Sequence, residues 1–163
     1  PDQMVDRTYR RVPSYVEGGA VHLPFGDPYC DRIAAAVTGA ADDVRHGGTM
    51  VIVEGPRFST RAESRHYAEQ GWSLINMTGH PEAALAREML QCYTPIALVT
   101  DMDAGAESGA GAGQAAVLAR FKANLERLTG LLAAAIEALP DPDGCSCSGW
   151  ADDLELTYQV PAR

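Results

Sequence analysis

The chain has 163 residues, 46% of them hydrophobic, and a formal net charge of -9 from 13 Lys and Arg against 22 Asp and Glu. That length supports one modest core, and no run of about 18 apolar residues is present to cross a bilayer, so a soluble globular chain is expected. The acidic balance repels a polyphosphate backbone and no basic cluster offsets it locally, which argues against nucleic acid; four dispersed cysteines do not form the dense framework of a secreted mini-domain, so the expected compartment is the cytoplasm.

Residues 1–19 read as polar and irregular, and the opening Pro1-Asp2-Gln3, with no initiator Met and no signal core, reads as the interior of a longer gene product. Ala20-Val21-His22-Leu23 predicts a short strand. Asp27-Pro28 predicts a helix running through Thr38, with Asp27 as cap and proline at the first position, where a missing N–H costs nothing. Thr49 to Val53, apolar after the Gly47-Gly48 turn, predicts a strand buried on both faces that ends at Glu54.

After the Gly55-Pro56 break, Thr60-Arg61-Ala62-Glu63 fits the Thr-x-x-Glu capping box, in which hydroxyl and carboxylate each satisfy an orphan backbone donor; a helix should run to about Glu69. Ser73 to Met77 predicts the next strand, and Pro81-Glu82 opens a helix ending near Gln91. Pro95 to Thr100 predicts a third buried strand. The last long helix carries Val117, Leu118, Phe121, Leu125, Leu128, Leu132, Ile136 and Leu139 at three-to-four spacing. Ala104 to Gly113 is a glycine-rich linker expected to be mobile, and residues 140–163 form a tail without helical or strand period, separate from the body at 1–139. Strand and helix alternate, which implies an α/β layer structure whose ligands collect in loops at the carboxyl ends of strands.

Three such loops carry polar residues able to converge: Glu54 to Glu63, Asn76 to Glu82, and Thr100 to Asp103. Each has a bland reading. Phe58 is a core plug or a ring that stacks on a ligand, Ser59 a helix cap, and Asn76 and Thr78 turn residues or, for the Thr78 hydroxyl near a helix start, an anion ligand. Asp101-x-Asp103 caps a turn or binds a hard cation, but the following residues offer only alanines, glycines and Glu107 as further ligands, which disfavours metal. His22, His46, His66 and His80 show no zinc spacing. Cys145-x-Cys147 is a local disulfide, a metal pair or two inert tail thiols, without a catalytic role. Gly111-x-Gly113-x-x-Ala116 matches a dinucleotide fingerprint but follows a long loop rather than a strand, so it reads as a hinge or helix start.

Taken in order, Pro1-Asp2-Gln3 with Asp6-Arg7-Thr8, Gly48-Thr49-Met50, Glu54 to Ser64, Asn76-Met77-Thr78, Pro81-Glu82 and Thr100-Asp101-Met102-Asp103 resemble the carboxyl-terminal portion of the 5′-methylthioadenosine phosphorylases, a branch of the trimeric purine nucleoside phosphorylase superfamily. The likeness spans most of residues 1–139. It implies a phosphorylase-type α/β fold, a mixed sheet flanked by helices and incomplete at its amino terminus. It also implies that Phe58 stacks on the purine, that Ser59, Asn76 and Met77 line the base and ribose site, that Thr78 holds phosphate, and that Asp101 is the base-reading acid with Asp103 in support. Val117 and Leu118 would line a thioether pocket, and His22 would face the 5′ substituent in a neighbouring subunit of a homotrimer or higher homo-oligomer.

In the 6-oxopurine relatives an acid stands at the place of Ser59 and an asparagine at that of Asp101; this chain has the opposite pair, which implies an adenine nucleoside. The implied reaction is phosphorolysis of 5′-methylthioadenosine with inorganic phosphate as co-substrate and no metal or organic cofactor. The alternatives are a 5′-methylthioinosine or general purine nucleoside phosphorylase, and a catalytically silent purine-binding fragment. Gln114 stands where better-known members carry an apolar residue. The family's amino-terminal half, with most of its phosphate ligands, has no counterpart in these residues, so the chain alone is expected to be inactive and to expose a sheet edge.

Overall fold

Met50, Val51 and Ile52 are 1%, 0% and 0% exposed, and they belong to the strand around which the rest is arranged. The computed structural model describes residues 1–17, 19–104, 113–143, 145–156 and 158–160. Its elements are β1 (Gln3–Asp6), α1 (Asp31–Gly39), β2 (Thr49–Ile52), α2 (Arg61–Glu69), β3 (Trp72–Asn76), α3 (Gly79–Glu88), α4 (Gln114–Glu137) and α5 (Ser146–Gly149). Among the described residues the strands form one sheet in the order β1-β2-β3, parallel throughout. Gln3 pairs with Thr49 and Met50 with Leu74, with a register irregularity between Thr49 and Met50. Gly48 enters β2 at φ 90°, and a Cβ there would lie 2.7 Å from the Ser73 hydroxyl oxygen, so the turn admits only glycine. Tyr29, Met50, Ile52 and Ala83 form the core, with Met4, Phe25, Leu74 and Tyr93 packed against it. No described helix is long and apolar enough to cross a membrane.

The expected α/β alternation, β2, α2, β3 and α4 are present, while five expectations are corrected. The first strand is Gln3–Asp6 rather than 20–23: Met4 and Val5 are its only apolar residues, and the ladder with β2 makes it a strand. The first helix starts at Asp31, because Cys30 donates its N–H to Tyr93 O (2.8 Å) and Thr94 Oγ1 (3.2 Å), which holds the preceding residues extended. Pro95 to Thr100 forms no strand; part of it lies against Leu74, Leu128 and Leu131 around an apolar cavity of about 430 Å³ instead of joining the ladder. In the tail, α5 forms a single turn. The third helix begins two residues before Pro81, with His80 outside helical geometry, and stops at Glu88. Residues 105–112, which hold the interior of the glycine-rich linker and the first two positions of the Gly111-x-Gly113-x-x-Ala116 motif, lie outside the described residues, while Gly113 caps α4, as the helix-start reading expects.

The tail is docked on the body. Trp150 Nε1 donates to Arg87 O (3.2 Å), the Tyr158 hydroxyl to Glu88 O (2.7 Å), and the Arg32 guanidinium to Pro140 O. Docking also gathers the tail thiols with two from the body: of the three readings of Cys145-x-Cys147, a pair isolated in a loose tail does not hold, since the sulfurs of Cys30, Cys92, Cys145 and Cys147 all lie within 4.8 Å of one another. On α4 the apolar stripe is only partly covered: the helix packs on α1, while Leu118, Phe121, Leu125, Leu132 and Ile136 are exposed.

The capping box at α2 is complete. Glu63 N–H donates to the Thr60 hydroxyl (3.2 Å), the Glu63 carboxylate accepts from Thr60 N–H (2.7 Å), and Arg57 forms two bonds of 2.7 Å with the same carboxylate. The Arg57 guanidinium, then the Thr60 amide, hold the Glu63 carboxyl down to a pKa of about 2. A depressed carboxyl stabilises the fold above its unfolded pKa and ceases to do so as pH falls through the folded value. Glu63→Ala should therefore cost about 0.5 kcal/mol at neutral pH, a figure suited to an exposed cap. In urea titrations the gap between variant and parent should close between about pH 4.5 and pH 2; a gap independent of pH would contradict this assignment.

Candidate active site

Because the strands are parallel, the loops after β1, β2 and β3 all leave one edge of the sheet. Local bonds shape the loops after β1 and β3. Asp6 Oδ1 accepts from the Thr8 N–H (2.8 Å) and hydroxyl (2.7 Å), folding the chain after β1. Asn76 Oδ1 accepts from the N–H groups of Thr78 (2.7 Å) and Gly79 (2.6 Å), so that acceptor turns the chain into α3 and is occupied in doing so. Gly55, at φ 68°, leaves β2 where a Cβ would meet Met77 Sδ at 2.8 Å, which brings the second and third loops together.

Arg11 ties the three loops. Its guanidinium donates to Met77 O (2.5 Å), Glu54 O (3.4 Å) and His80 O. Tyr9 N–H donates to Glu54 Oε2 at 3.0 Å, and His80 Nε2 lies 3.4 Å from Asp6 Oδ2. Asp6, Arg11, Glu54 and His80 thus organise this edge, yet the sequence reading gave none of them a role. Asp6-x-Thr8 carries a visible turn signature; Arg11 has no local signal, because all its acceptors are 43 to 69 residues away.

Phe58, on the second loop, is 46% exposed, beside a half-buried Ser59. Met77 is half-buried and Thr78 exposed at the head of α3. Asp101 is half-buried and its Oδ1 accepts from the Thr100 hydroxyl at 3.0 Å. Asp103 Oδ2 is buried with no hydrogen-bond partner among the described residues. Burial, reinforced by the charge of Glu63 and of Asp103, pushes the Tyr67 phenol up, and Arg7 and Arg57 oppose the shift.

The loops after β2 and β3 therefore offer an exposed aromatic residue and a hydroxyl at a helix start, and the segment after Thr100 adds an acid with a buried carboxylate oxygen that has no partner among the described residues. Such a set can stack a planar heterocycle and accept hydrogen bonds from it. His22 lines a separate cavity of about 560 Å³ that shares Asp6 and His80 with the loop edge and is walled further by Met4, Phe25 and Glu88. Val117 is half-buried and Leu118 is 56% exposed, at the start of α4 just after residues outside the description. The apolar cavity of about 430 Å³ lies around Pro1, Gly47 and Ser73, at the amino-terminal ends of the strands, and none of the candidate residues lines it.

Residues 1–137 match the Phosphorylase superfamily. The chain is 50% identical over 161 residues to the S-methyl-5′-thioadenosine phosphorylase of Mycobacterium tuberculosis, covering 99% of this chain and 61% of the relative. It is 52% identical over 176 residues to the purine nucleoside phosphorylase of Streptomyces coelicolor, at 99% and 63%. In structure it resembles a mutant adenosine/methylthioadenosine phosphorylase from Schistosoma mansoni in complex with adenine, with TM-score 0.80, 28% identity, and coverage of 86% of this chain and 60% of that one. A methylthioadenosine phosphorylase from an antarctic soil metagenomic library aligns at TM-score 0.79 and 33% identity, over 91% and 55%. The chain thus spans about three-fifths of the length of the curated relatives it matches.

Proposed function

The chain belongs to the phosphorylase superfamily, and on that premise we propose that it carries the base- and sugar-recognising part of an enzyme that converts 5′-methylthioadenosine and phosphate to adenine and 5-methylthioribose 1-phosphate. The observation that carries this reading is the acidic segment after Thr100, where Asp103 keeps a buried oxygen with no hydrogen-bond partner among the described residues, together with the exposed Phe58 on the loop after β2. A C6 amino group donates hydrogen bonds, and acidic acceptors held near a stacking ring meet that need.

Phe58 stacks on the purine, Ser59 borders it, Met77 packs on the ribose, and Thr78 holds phosphate near the start of α3, where unpaired N–H groups favour anions. Asp101 accepts from the C6 amino group and delivers a proton to N7 as the C1′–N9 bond lengthens. Neutralising the charge that enters the base lowers the barrier, and phosphate captures the sugar cation. Asp103 supports Asp101. Asn76 acts through the turn that places Met77 and Thr78. Val117 and Leu118 bound the 5′-thioether, and His22 acts on the site of a neighbouring subunit in a homotrimer. The reaction needs no metal or organic cofactor at its centre. It serves purine and methionine salvage in the cytoplasm.

The name of the Streptomyces coelicolor relative favours a second reading, a general purine nucleoside phosphorylase. Calorimetry of this chain with adenine, hypoxanthine and phosphate separates the two. An acceptor-rich site left unpaired by a 6-oxopurine predicts adenine binding at least about tenfold tighter than hypoxanthine. Equal affinities, or tighter hypoxanthine, would favour the second reading and overturn the first. Adenine binding without phosphate binding would keep base recognition in this chain and place phosphate recognition in the rest of the relatives' length.

A further inference from the structure

We propose that Cys30, Cys92, Cys145 and Cys147 form a tetrathiolate zinc site that fastens the carboxyl-terminal tail to the body. The four sulfurs come from three separate places: Cys30 caps α1, Cys92 follows α3, and Cys145 and Cys147 bracket the first turn of α5. All lie within 4.8 Å of one another, with Cys30 to Cys145 at 3.6 Å and Cys92 to Cys145 at 3.4 Å. All four are free thiols. A tetrahedral zinc ion with Zn–S bonds of about 2.3 Å holds its sulfurs about 3.8 Å apart, which falls inside the observed spread. Closed sets of four cysteines are the donor chemistry of structural zinc, and soft thiolates select it over magnesium or calcium.

The surroundings are built for such a group. Cys30 and Cys147 are 2% and 5% exposed. The Arg32 guanidinium donates to Cys92 Sγ at 3.6 Å, placing a positive charge beside a centre that carries two negative charges once four thiolates surround one Zn²⁺. Cys30 is fixed to the segment after Cys92 by three bonds, from its N–H to Tyr93 O and Thr94 Oγ1 and from the Thr94 hydroxyl back to Cys30 O at 2.8 Å. The cluster lies past the end of α3 opposite Thr78, so the metal is structural and takes no part at the loop edge. Loading exchanges the four thiol protons for one Zn²⁺ and involves no change in oxidation state.

The test is elemental analysis of the chain purified under reducing conditions without chelator, together with cobalt substitution of the unaltered protein. One zinc per chain is expected, released by a mercurial that titrates thiols, and the cobalt form should show the intense visible bands of tetrahedral sulfur coordination. Chelation should lower the thermal midpoint by more than about 5 °C. Cys147→Ser and Cys145→Ser should each abolish stoichiometric zinc; because either variant risks misfolding, the cobalt spectrum of the unaltered chain stands as the independent measure. Free thiols with no cobalt uptake, or a mass lower by the hydrogens of two disulfides, would overturn the proposal. Iron in the same four-sulfur site would overturn the choice of zinc.

Discussion

Asp101→Asn, made in a phosphorylase that carries this chain with the rest of its relatives' length, should lower kcat/KM for 5′-methylthioadenosine by about 10²- to 10³-fold. The amide keeps the volume and the hydrogen bond from the Thr100 hydroxyl, which Asp101 Oδ1 accepts at 3.0 Å. It lacks an acidic proton for N7, and its NH₂ group meets the C6 amino group donor to donor. The same NH₂ suits a C6 carbonyl, so activity on 5′-methylthioinosine relative to 5′-methylthioadenosine should rise. Measuring both substrates on both proteins is the check. A variant that lost activity equally on both would retain Asp101 as a proton donor but remove it as the base-reading group; unchanged preference and unchanged rate would remove both roles.

The second large effect is expected at Arg11, which touches no substrate in this account and acts through the loops it ties. Arg11→Met keeps most of the aliphatic stem and deletes the donors to Met77 O, Glu54 O and His80 O. Hydrogen bonds from a charged donor are individually worth about 1.5–3 kcal/mol, and the three carbonyls compete for one guanidinium, so a loss of about 3 kcal/mol is expected. For a chain of this size that corresponds to a fall in Tm on the order of 10 °C. Arg10→Met is the control: Arg10 stacks over Tyr9 at 5.0 Å on the exposed face, and its loss should be nearly silent. Adenine affinity should fall with Arg11→Met even at temperatures where the variant is fully folded, which a purely structural role would not produce. Equal melting of the two variants would contradict the tie.

The residues that announced themselves in the sequence are those whose structure is decided locally. Thr60 and Glu63 form their capping box over three residues, and the apolar run of β2 needs only its own pattern to be seen. Phe58, Met77 and Thr78 stand out in the sequence because each follows an apolar run, and parallel pairing places the loops that carry them at one edge of the sheet. The misses are decided at a distance. Gln3–Asp6 is a strand because β2 lies beside it, whereas Pro95 to Thr100 has the composition of a strand and no ladder partner among the described residues. Arg11 and the four cysteines depend on contacts spanning dozens of residues, which no spacing rule displays.

The sheet's two pairings also differ in the length of chain each must close. Gln3 meets Thr49 across 46 positions, whereas Met50 meets Leu74 across 24. Closing the longer segment costs about 0.6 kcal/mol more in chain entropy, roughly a threefold kinetic handicap. The β2-β3 pair with its α2 crossover is therefore the first to assemble, and the amino-terminal strand joins a template already in place. Arg11, which bridges both, is secured only in that last event.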